Sequence, residues 1–361
     1  MPEKLKDILF PKEKVELFGR VLKEEYPPFD SENFVASVCD KNWPARELKE
    51  KMRHTTLCLH KYLPDDFSEA VKTLQNIVPK VTGFEAIVLP DYIEVYGIDY
   101  PEISVPALGV LTTCGSSEFG IRPFLNKDLI STMKYMLVWA DNEDFKVRRF
   151  ASEGCRPRLP WASGVPALKK DPSLILPILE KLKDDPEEFV RKSVANNLND
   201  ISKDHPELVL DICERWQGNS KNTDWIIKHA CRTLLKQGNN RAMLLFGFAN
   251  PEQMQIKELQ FSSLSPAIGD EISFSFNLNL KTKKKQKVRL EYIVHFVKKT
   301  GKTSPKVFQM KEVLLAPGIH PIQKKHSFAN MSTRKHFSGE HKFQLVVNGE
   351  VKAEQIVQLA D

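Results

Sequence analysis

The feature that most constrains this fold is a helical segment that recurs three times in the middle of the chain. Its apolar anchors, Val147, Val190 and Ile227, are separated by 43 and then 37 residues, a spacing typical of HEAT-type helical pairs. Each copy has an acidic start and a basic second turn, as the helix dipole favours. Because stacked helix pairs bury their apolar faces against one another, we expect a curved α-solenoid with a concave face.

The sequence around the repeats is also helical in pattern up to about residue 250. Apolar positions recur with helical period in PKEKVELFGRVLKEEY, ARELKEKMRHTTLCLHKYL and DDFSEAVKTLQNIVPKV. Clusters of Pro and Gly separate these segments at intervals of one helix length. The first domain is therefore predicted as a HEAT-like-repeat region over residues 1–248.

After Gly247 the apolar pattern changes from a helical period to a period of two. Alternation continues through MQIKELQFSS, DEISFSFNLNL, KVRLEYIVHFVKK, KVFQMKEVLLA and HKFQLVVNGEVKAEQIVQL. Asn348-Gly349 is a strong signal for a short hairpin. About seven short strands without a helix indicate an immunoglobulin-like β-sandwich over residues 249–361. The prediction depends on strand count, since no cysteine lies beyond Cys231.

Bulk properties narrow the class of protein. Six scattered cysteines without a CxxC pair disfavour a zinc site and a secreted disulfide scaffold, and the histidines show no metal-ligand spacing, so neither a metal nor a cofactor is expected. The longest uncharged run, residues 103–117, is too short to span a bilayer. The charged N-terminus lacks the apolar core of a signal peptide. We expect a cytoplasmic monomer without a membrane partner.

The net charge of +6 is unevenly distributed along the chain. Residues 251–361 hold 18 Lys and Arg against 10 Asp and Glu, whereas residues 1–250 carry a small net negative charge. A basic C-terminal third is typical of a polyanion-binding protein, although solubility alone would also explain it. Basic positions on the repeat helices are likewise either phosphate contacts or a solvated helix face.

One stretch, FASEGCRPRLPWA at residues 150–162, combines arginines, a carboxylate and an indole on a stiff backbone. If a helix runs from about Asp144 to Cys155, then Arg149, Glu153 and Arg156 fall on one face. The prolines that follow should end the helix and fix the position of Trp161. A structural interpretation is also open, in which Glu153 pairs with an arginine and Trp161 lies in the core.

The motif GCRPRLPWA after VRRFASE, together with VRKSVANNLNDISKDHP and ARELKEKMRHTTLCLHKYLP, resembles the AlkC-type DNA alkylation-repair glycosylases. These enzymes belong to the HEAT-like-repeat glycosylase superfamily, and many members carry an immunoglobulin-like tail. The resemblance covers most of residues 1–250. It implies hydrolytic excision of cationic N3-methylated bases, 3-methyladenine and 3-methylcytosine, from alkylated double-stranded DNA. It also implies a concave face that grips the duplex without flipping the base.

The resemblance carries the family's functional residues onto this sequence. The catalytic set it implies is Glu118 in GSSEFG, Glu153, Trp161, and Asp200 in NLNDISKDHP, where the last might instead end a helix. Arg149 and Arg156 match basic positions near the DNA. The full pool of predicted phosphate contacts is Arg148, Arg149, Arg156, Arg158, Arg191, Lys192, Lys228 and Arg232. The loops 281–285 and 332–336 of the sandwich add basic candidates.

The chemistry of these residue types suits the implied reaction. A methylated cationic base is a good leaving group, so the demanding step is stabilising positive charge at C1′, which a fixed carboxylate does electrostatically. An indole contacts a cation or sugar favourably. No lysine lies in residues 150–162, which disfavours a Schiff-base lyase step and predicts a monofunctional enzyme. The competing hypothesis is a non-catalytic HEAT-repeat scaffold that binds DNA or protein.

Overall fold

The computed structural model of the protein describes residues 10–81, 83–331 and 334–361. Helices fill the described chain up to residue 245, and strands begin at residue 254. The first helices are α1 Lys12–Glu25, α2 Ser31–Val38, α3 Leu48–His60, α4 Phe67–Asn76, α5 Val88–Tyr96, α6 Pro101–Leu111, α7 Arg122–Lys127 and α8 Leu129–Trp139. They continue as α9 Phe145–Gly154, α10 Pro166–Lys170, α11 Leu176–Leu182, α12 Glu188–Ile201, α13 Pro206–Trp216, α14 Lys221–Ala230, α15 Arg232–Lys236 and α16 Asn240–Leu245.

The three predicted repeat helices are α9, α12 and α14, and they pack in that order, α9 on α12 and α12 on α14. Their anchors Val147, Val190 and Ile227 are all buried, which makes this region repeat-like.

Two arginines make equivalent hydrogen bonds in the first two copies of the repeat. Nη1 of Arg148 donates to the carbonyls six and five residues earlier, at 3.0 and 2.8 Å, and Nη1 of Arg191 does the same at 2.7 and 2.7 Å. Each arginine therefore closes the turn that leads into its own helix.

Helix α9 has the bounds that the sequence predicts. The carboxylate of Asp144 caps its first turn by accepting from the backbone N–H of Lys146 at 2.7 Å. The helix ends at Gly154, with Cys155 as the C-terminal cap. The backbone that follows contains two prolines, which cannot continue a helix. The last turn of α9 is thereby fixed against the loop that carries Trp161.

The strands form two antiparallel sheets. They are β1 Met254–Phe261, β2 Glu271–Leu280, β3 Gln286–Val297, β4 Thr303–Leu315, β5 Gly318–Ser327, β6 Gly339–Val347 and β7 Glu350–Leu359. One sheet has the order β1-β2-β5 and the other β4-β3-β6-β7, so this part of the chain is an antiparallel β-sandwich. The segments named in the sequence analysis omit β5, because its Pro321 and its basic residues obscure the alternation. As an edge strand, β5 tolerates that proline.

The sandwich core is rich in aromatic side chains, among them Phe274, Tyr292 and Phe343, each at most 3% exposed. The predicted hairpin joins β6 to β7, with Asn348 at φ 47° and Gly349 at φ 83°. Positive φ at both turn residues is the reason that the pair Asn-Gly occurs here. Oδ1 of Asn348 accepts from the N–H of Arg289 at 2.7 Å, which fixes the turn to β3.

By internal contacts the chain divides into two compact units. One contains the described residues up to 209 and residues 215–230, and the other contains residues 210–214 and 231–361. The domain boundary at residues 248 and 249 stays a prediction. Among the described residues, none of the helices has both the length and the apolar character needed to cross a bilayer.

Candidate active site

Five residues predicted from the sequence meet in one network of alternating charge, which we call the carboxylate–arginine network: Glu118, Arg149, Glu153, Arg156 and Asp200. Arg149 Nη1 lies 3.1 Å from Glu118 Oε1, and its Nη2 lies 3.7 Å from Glu153 Oε1. Arg156 Nη1 lies 2.6 Å from the same Glu153 oxygen, and its Nε lies 2.8 Å from Asp200 Oδ2. The central member, Glu153, is held between two guanidinium groups.

The fold brings these side chains together from four separate segments. Glu118 lies in the loop between α6 and α7, Arg149 and Glu153 lie in α9, Arg156 follows α9, and Asp200 lies in the last turn of α12. The residues Glu118, Glu153, Arg156 and Asp200 are all at most 7% exposed. Burial alone would lower the pKa of Arg156, but the adjacent carboxylates of Glu153 and Asp200 raise it above its ordinary value. Arg156 therefore stays a cation.

The side chain of Asp200 pairs with cations, although the sequence left open that this residue only ends a helix. Oδ2 accepts from Arg156 at 2.8 Å, and Oδ1 lies 3.0 Å from the ammonium of Lys203. Both carboxylate oxygens are thus engaged by cations. By contrast, Glu118 uses Oε1 for Arg149, while its buried Oε2 has no hydrogen-bond partner among the described residues.

Trp161 lies in the loop between α9 and α10 and is 72% exposed. The structural interpretation of the sequence is therefore correct in pairing Glu153 with an arginine and wrong in placing Trp161 in the core. The backbone of Trp161 has φ 64°, a left-handed conformation that costs a bulky residue about 1–3 kcal/mol. Lys49 of α3 donates to its carbonyl oxygen. An exposed indole held at such a cost is typical of a ligand-contacting residue.

A cavity of about 520 Å³ lies beside these groups, and both Glu118 and Trp161 line it. Arg53 of α3 and Glu94 of α5 also line it, and Arg53 Nη2 lies 2.9 Å from Asp91 Oδ1 and 3.1 Å from Glu94 Oε1. Burial raises the pKa of Glu94, and the neighbouring Asp91 adds to the effect. The sequence analysis missed these residues, although Asp91 and Glu94 stand three apart in DYIEVYG, a spacing that puts two acids on one helix face.

Arg122 is a second residue that the sequence analysis missed. It is 1% exposed, and its guanidinium donates to the carbonyls of Ser163, Gly154 and Arg156 at 2.7–2.9 Å. Burial lowers the pKa of Arg122 to about 10, so it is still charged at neutral pH. These bonds hold both ends of the loop that carries Trp161. The only signal for Arg122 in the sequence is its position four residues after Glu118.

Comparison with known proteins identifies the family of this chain. The model of a family described as "DNA alkylation repair enzyme" matches residues 113–234, and that of "Uncharacterised protein YhaZ, C-terminal Ig-like domain" matches residues 255–361. The uncharacterized protein YhaZ of Bacillus subtilis is 42% identical over 332 residues, 92% of either chain. The alkylpurine DNA glycosylase AlkC of Pseudomonas fluorescens, solved on DNA with an abasic site analog, is 36% identical. The two structures superpose with a TM-score of 0.92 over 99% of this chain and 100% of that one. The chain belongs to the AlkC family.

In this AlkC-family chain the predicted phosphate contacts fall into two groups. Several are engaged within the protein: Arg148 pairs with Asp185 at 2.6 Å, and Arg158 pairs with Asp204 at 2.6 Å. The hydrogen bonds to Asp185 and Asp204, respectively, raise the pKa values of both arginines. Arg191 donates to backbone carbonyls, as described for the repeat.

The second group lies nearer the solvent. Lys192 is exposed and pairs with Glu188 one turn away at 2.7 Å. Lys228 is also exposed, and Arg232 is half-buried and falls in the other compact unit. Of the candidate sandwich loops, residues 332 and 333 lie outside the described residues. Among those described, no group of three or more His, Cys, Asp or Glu side chains is arranged to hold a metal ion.

Proposed function

We propose that this AlkC-family chain is a DNA glycosylase that hydrolyses the N-glycosidic bond of cationic, N3-methylated bases in double-stranded DNA. The substrates are 3-methyladenine and 3-methylcytosine, and the product is an abasic site. The observation that carries the proposal is the buried carboxylate–arginine network beside the exposed Trp161, in a chain that matches AlkC of P. fluorescens over its whole length. A scaffold has no need to keep several acids close to a surface that meets a polyanion.

The reaction balances without a cofactor. The C1′–N bond breaks, its electron pair stays on the base, and a base that was a cation leaves as a neutral molecule. Water then bonds to C1′ and releases a proton. Because the leaving group needs no strong acid, the protein's task is to stabilise positive charge at the sugar.

Glu153 suits that task best. Its Oε1 is fixed by Arg156 at 2.6 Å and by Arg149 at 3.7 Å, so the carboxylate needs no reorganisation when charge develops. Its burial strengthens the electrostatic effect, since a site with little water has a low effective dielectric constant. We assign Glu153 to the oxocarbenium-like C1′ and to orienting the attacking water.

The other predicted catalytic residues take distinct roles. Trp161 contacts the cationic base or sugar, worth on the order of 0.5–2 kcal/mol. Glu118 lines the cavity beside Trp161 and adds negative potential around the cationic base. Asp200, with both oxygens bound by cations, fixes Arg156 and adds negative potential.

DNA binding would depend on phosphate neutralisation along the concave face of a HEAT-like solenoid, without flipping of the base. Since Arg148, Arg158 and Arg191 are engaged within the protein, exposed cations such as Lys192 are the stronger candidates for phosphate contact. The chain acts as a monomer in this proposal.

The test is release of methylated base from DNA that carries 3-methyladenine, with 7-methylguanine DNA as the control. We expect release of 3-methyladenine in the presence of a chelator. Binding to this DNA without release would favour the scaffold hypothesis instead.

A monofunctional reaction is tested separately, because Lys49 approaches the Trp161 loop from another helix. Borohydride should trap no covalent complex with abasic DNA. A trapped complex that disappears in Lys49→Gln would show lyase chemistry and contradict the monofunctional assignment.

A further inference from the structure

The loop between α9 and α10, which carries Trp161, is tied to the start of α7 by one buried guanidinium. Arg122, the first residue of α7, donates from Nη1 to the carbonyls of Gly154 and Arg156 at 2.9 and 2.7 Å, and from Nε to the carbonyl of Ser163 at 2.8 Å. These carbonyls lie on both sides of Trp161 in the chain. A guanidinium presents its N–H groups in a rigid planar fork, so it sets the spacing between the carbonyls that it binds.

Two further side chains hold the same loop from outside. Lys49 of α3 donates to the carbonyl of Trp161 itself, and its ammonium lies 5.3 Å from the centre of the Phe119 ring. Asn126 of α7 donates to the carbonyl of Gly164 at 3.3 Å. The backbone around the indole is therefore bonded by side chains of other elements at the residue itself and on either side.

The cost of this arrangement indicates a role beyond stability. Trp161 has φ 64°, a conformation that costs about 1–3 kcal/mol and persists only where the surroundings impose it. Arg122 is 1% exposed, and its hydrogen bonds among the described residues go to backbone carbonyls, which are neutral acceptors. A buried charge bonded in this way is seldom the most stabilising choice at its position. Both costs serve an indole that is 72% exposed and so contributes little to the core.

We propose that Arg122 and Lys49 are positioning residues that hold the indole of Trp161 in place before DNA binds. The indole then meets the lesion as a preformed contact, with no loop to order on binding. Arg122 also bonds the carbonyl of Arg156, whose side chain fixes Glu153 at 2.6 Å, so one guanidinium relates the indole to that carboxylate. The inference rests on the proposed glycosylase function for its effect on rate, whereas its effect on the loop is independent of that function.

The first test measures the order of the loop by NMR relaxation in protein labelled with ¹⁵N-tryptophan and free of DNA. The chain has five tryptophans, and the backbone amide signal of Trp161 is the one missing from Trp161→Ala. Its order parameter should be that of a rigid backbone, about 0.85, in the wild type, and should fall below about 0.6 in Arg122→Lys and in Lys49→Met. Lysine keeps the charge of Arg122 but offers a single ammonium in place of the fork. The signals of the other tryptophans report whether each variant is folded.

The matched control is Lys61→Met, which removes the same charge from the exposed residue that follows α3. It should leave the order parameter of Trp161 and the excision rate at their wild-type values. Lys49→Met is the second variant because Lys49 is exposed, so its replacement should not impair folding if Arg122→Lys does.

The second test is a double-mutant cycle on single-turnover release of 3-methyladenine. If Lys49 acts through Trp161, Lys49→Met should slow release by up to about tenfold, the effect expected of Trp161→Ala, and should add nothing in a Trp161→Ala background. A role in stability or in phosphate contact would slow release equally in both backgrounds.

An order parameter of Trp161 that stays at the wild-type value in both Arg122→Lys and Lys49→Met overturns the proposal. An effect of Lys49→Met that is the same with and without the indole also overturns it. Either result leaves the glycosylase proposal standing. A wild type that releases no methylated base removes the glycosylase proposal, whereas the order parameter still decides whether the indole is held in place.

Discussion

Replacing Glu153 with Gln tests the centre of the proposed mechanism with the smallest change in shape. The amide keeps an oxygen that can still accept from Arg156, now 2.6 Å away, and Arg156 keeps its bond to Asp200 at 2.8 Å. What is removed is one negative charge between two guanidinium groups. The structure therefore predicts a folded variant with its network intact and its electrostatic effect lost.

The expected magnitudes separate catalysis from stability. Losing a preorganised electrostatic partner of the transition state costs about 2.7–4 kcal/mol, or roughly 10²–10³ in rate. Arg156 remains a cation and still donates to the amide oxygen, so the cost in folding free energy should stay below the roughly 3–5 kcal/mol of breaking a buried ion pair outright, and the melting temperature should fall by several degrees. DNA affinity should be unchanged or slightly higher, because an acid near a polyanion has been removed.

The assay is single-turnover release of 3-methyladenine, run beside a melting curve and a titration with abasic DNA. Glu188→Gln is the matched control, because it removes the same charge from an exposed helix position that pairs only with Lys192 at 2.7 Å among its described salt bridges. Glu188→Gln should excise at the wild-type rate. A Glu153→Gln protein that excises as fast as Glu188→Gln would refute the role assigned to Glu153.

Three further results are expected. Trp161→Ala should slow excision by about tenfold without lowering the melting temperature, since the indole is 72% exposed; a large drop in melting temperature would contradict its assignment to ligand contact. Lys192→Gln should reduce the slope of log K against log salt by about 0.9, and an unchanged slope would remove it from the phosphate contacts. Burial, with the charges of His336 and Arg334, lowers the pKa of His326 to about 4. The neutral ring keeps the sandwich stable above about pH 6.5, and about 3 kcal/mol of that stability should be lost as the pH falls towards 4. Melting temperatures of the wild type and His326→Phe, measured across this pH range, check the prediction. Equal slopes of melting temperature against pH in the two proteins would contradict it.

Short-range sequence patterns predicted much of the secondary structure of this protein. The repeat anchors Val147, Val190 and Ile227 are buried because apolar residues at helical spacing can leave water only by packing on a neighbouring helix. The bounds of α9 follow from a capping aspartate and the prolines beyond it, and the Asn348-Gly349 turn follows from the conformations that those residue types allow. The edge strand β5 was not predicted, because its proline interrupts the alternation of apolar and polar residues.

The candidate site is different, since its members approach one another only in the folded chain. The sequence pattern around residues 150–162 singled out Glu153, Arg156 and Trp161, and resemblance added Glu118 and Asp200. Neither source revealed Arg122, whose guanidinium reaches carbonyls more than thirty residues away. Burial also decides which cations are available, because Arg148 is paired with Asp185 in the fold while Lys192 stays near the solvent. Local preference determines the elements, whereas long-range packing and the cost of burying charge decide which groups are left to meet a ligand.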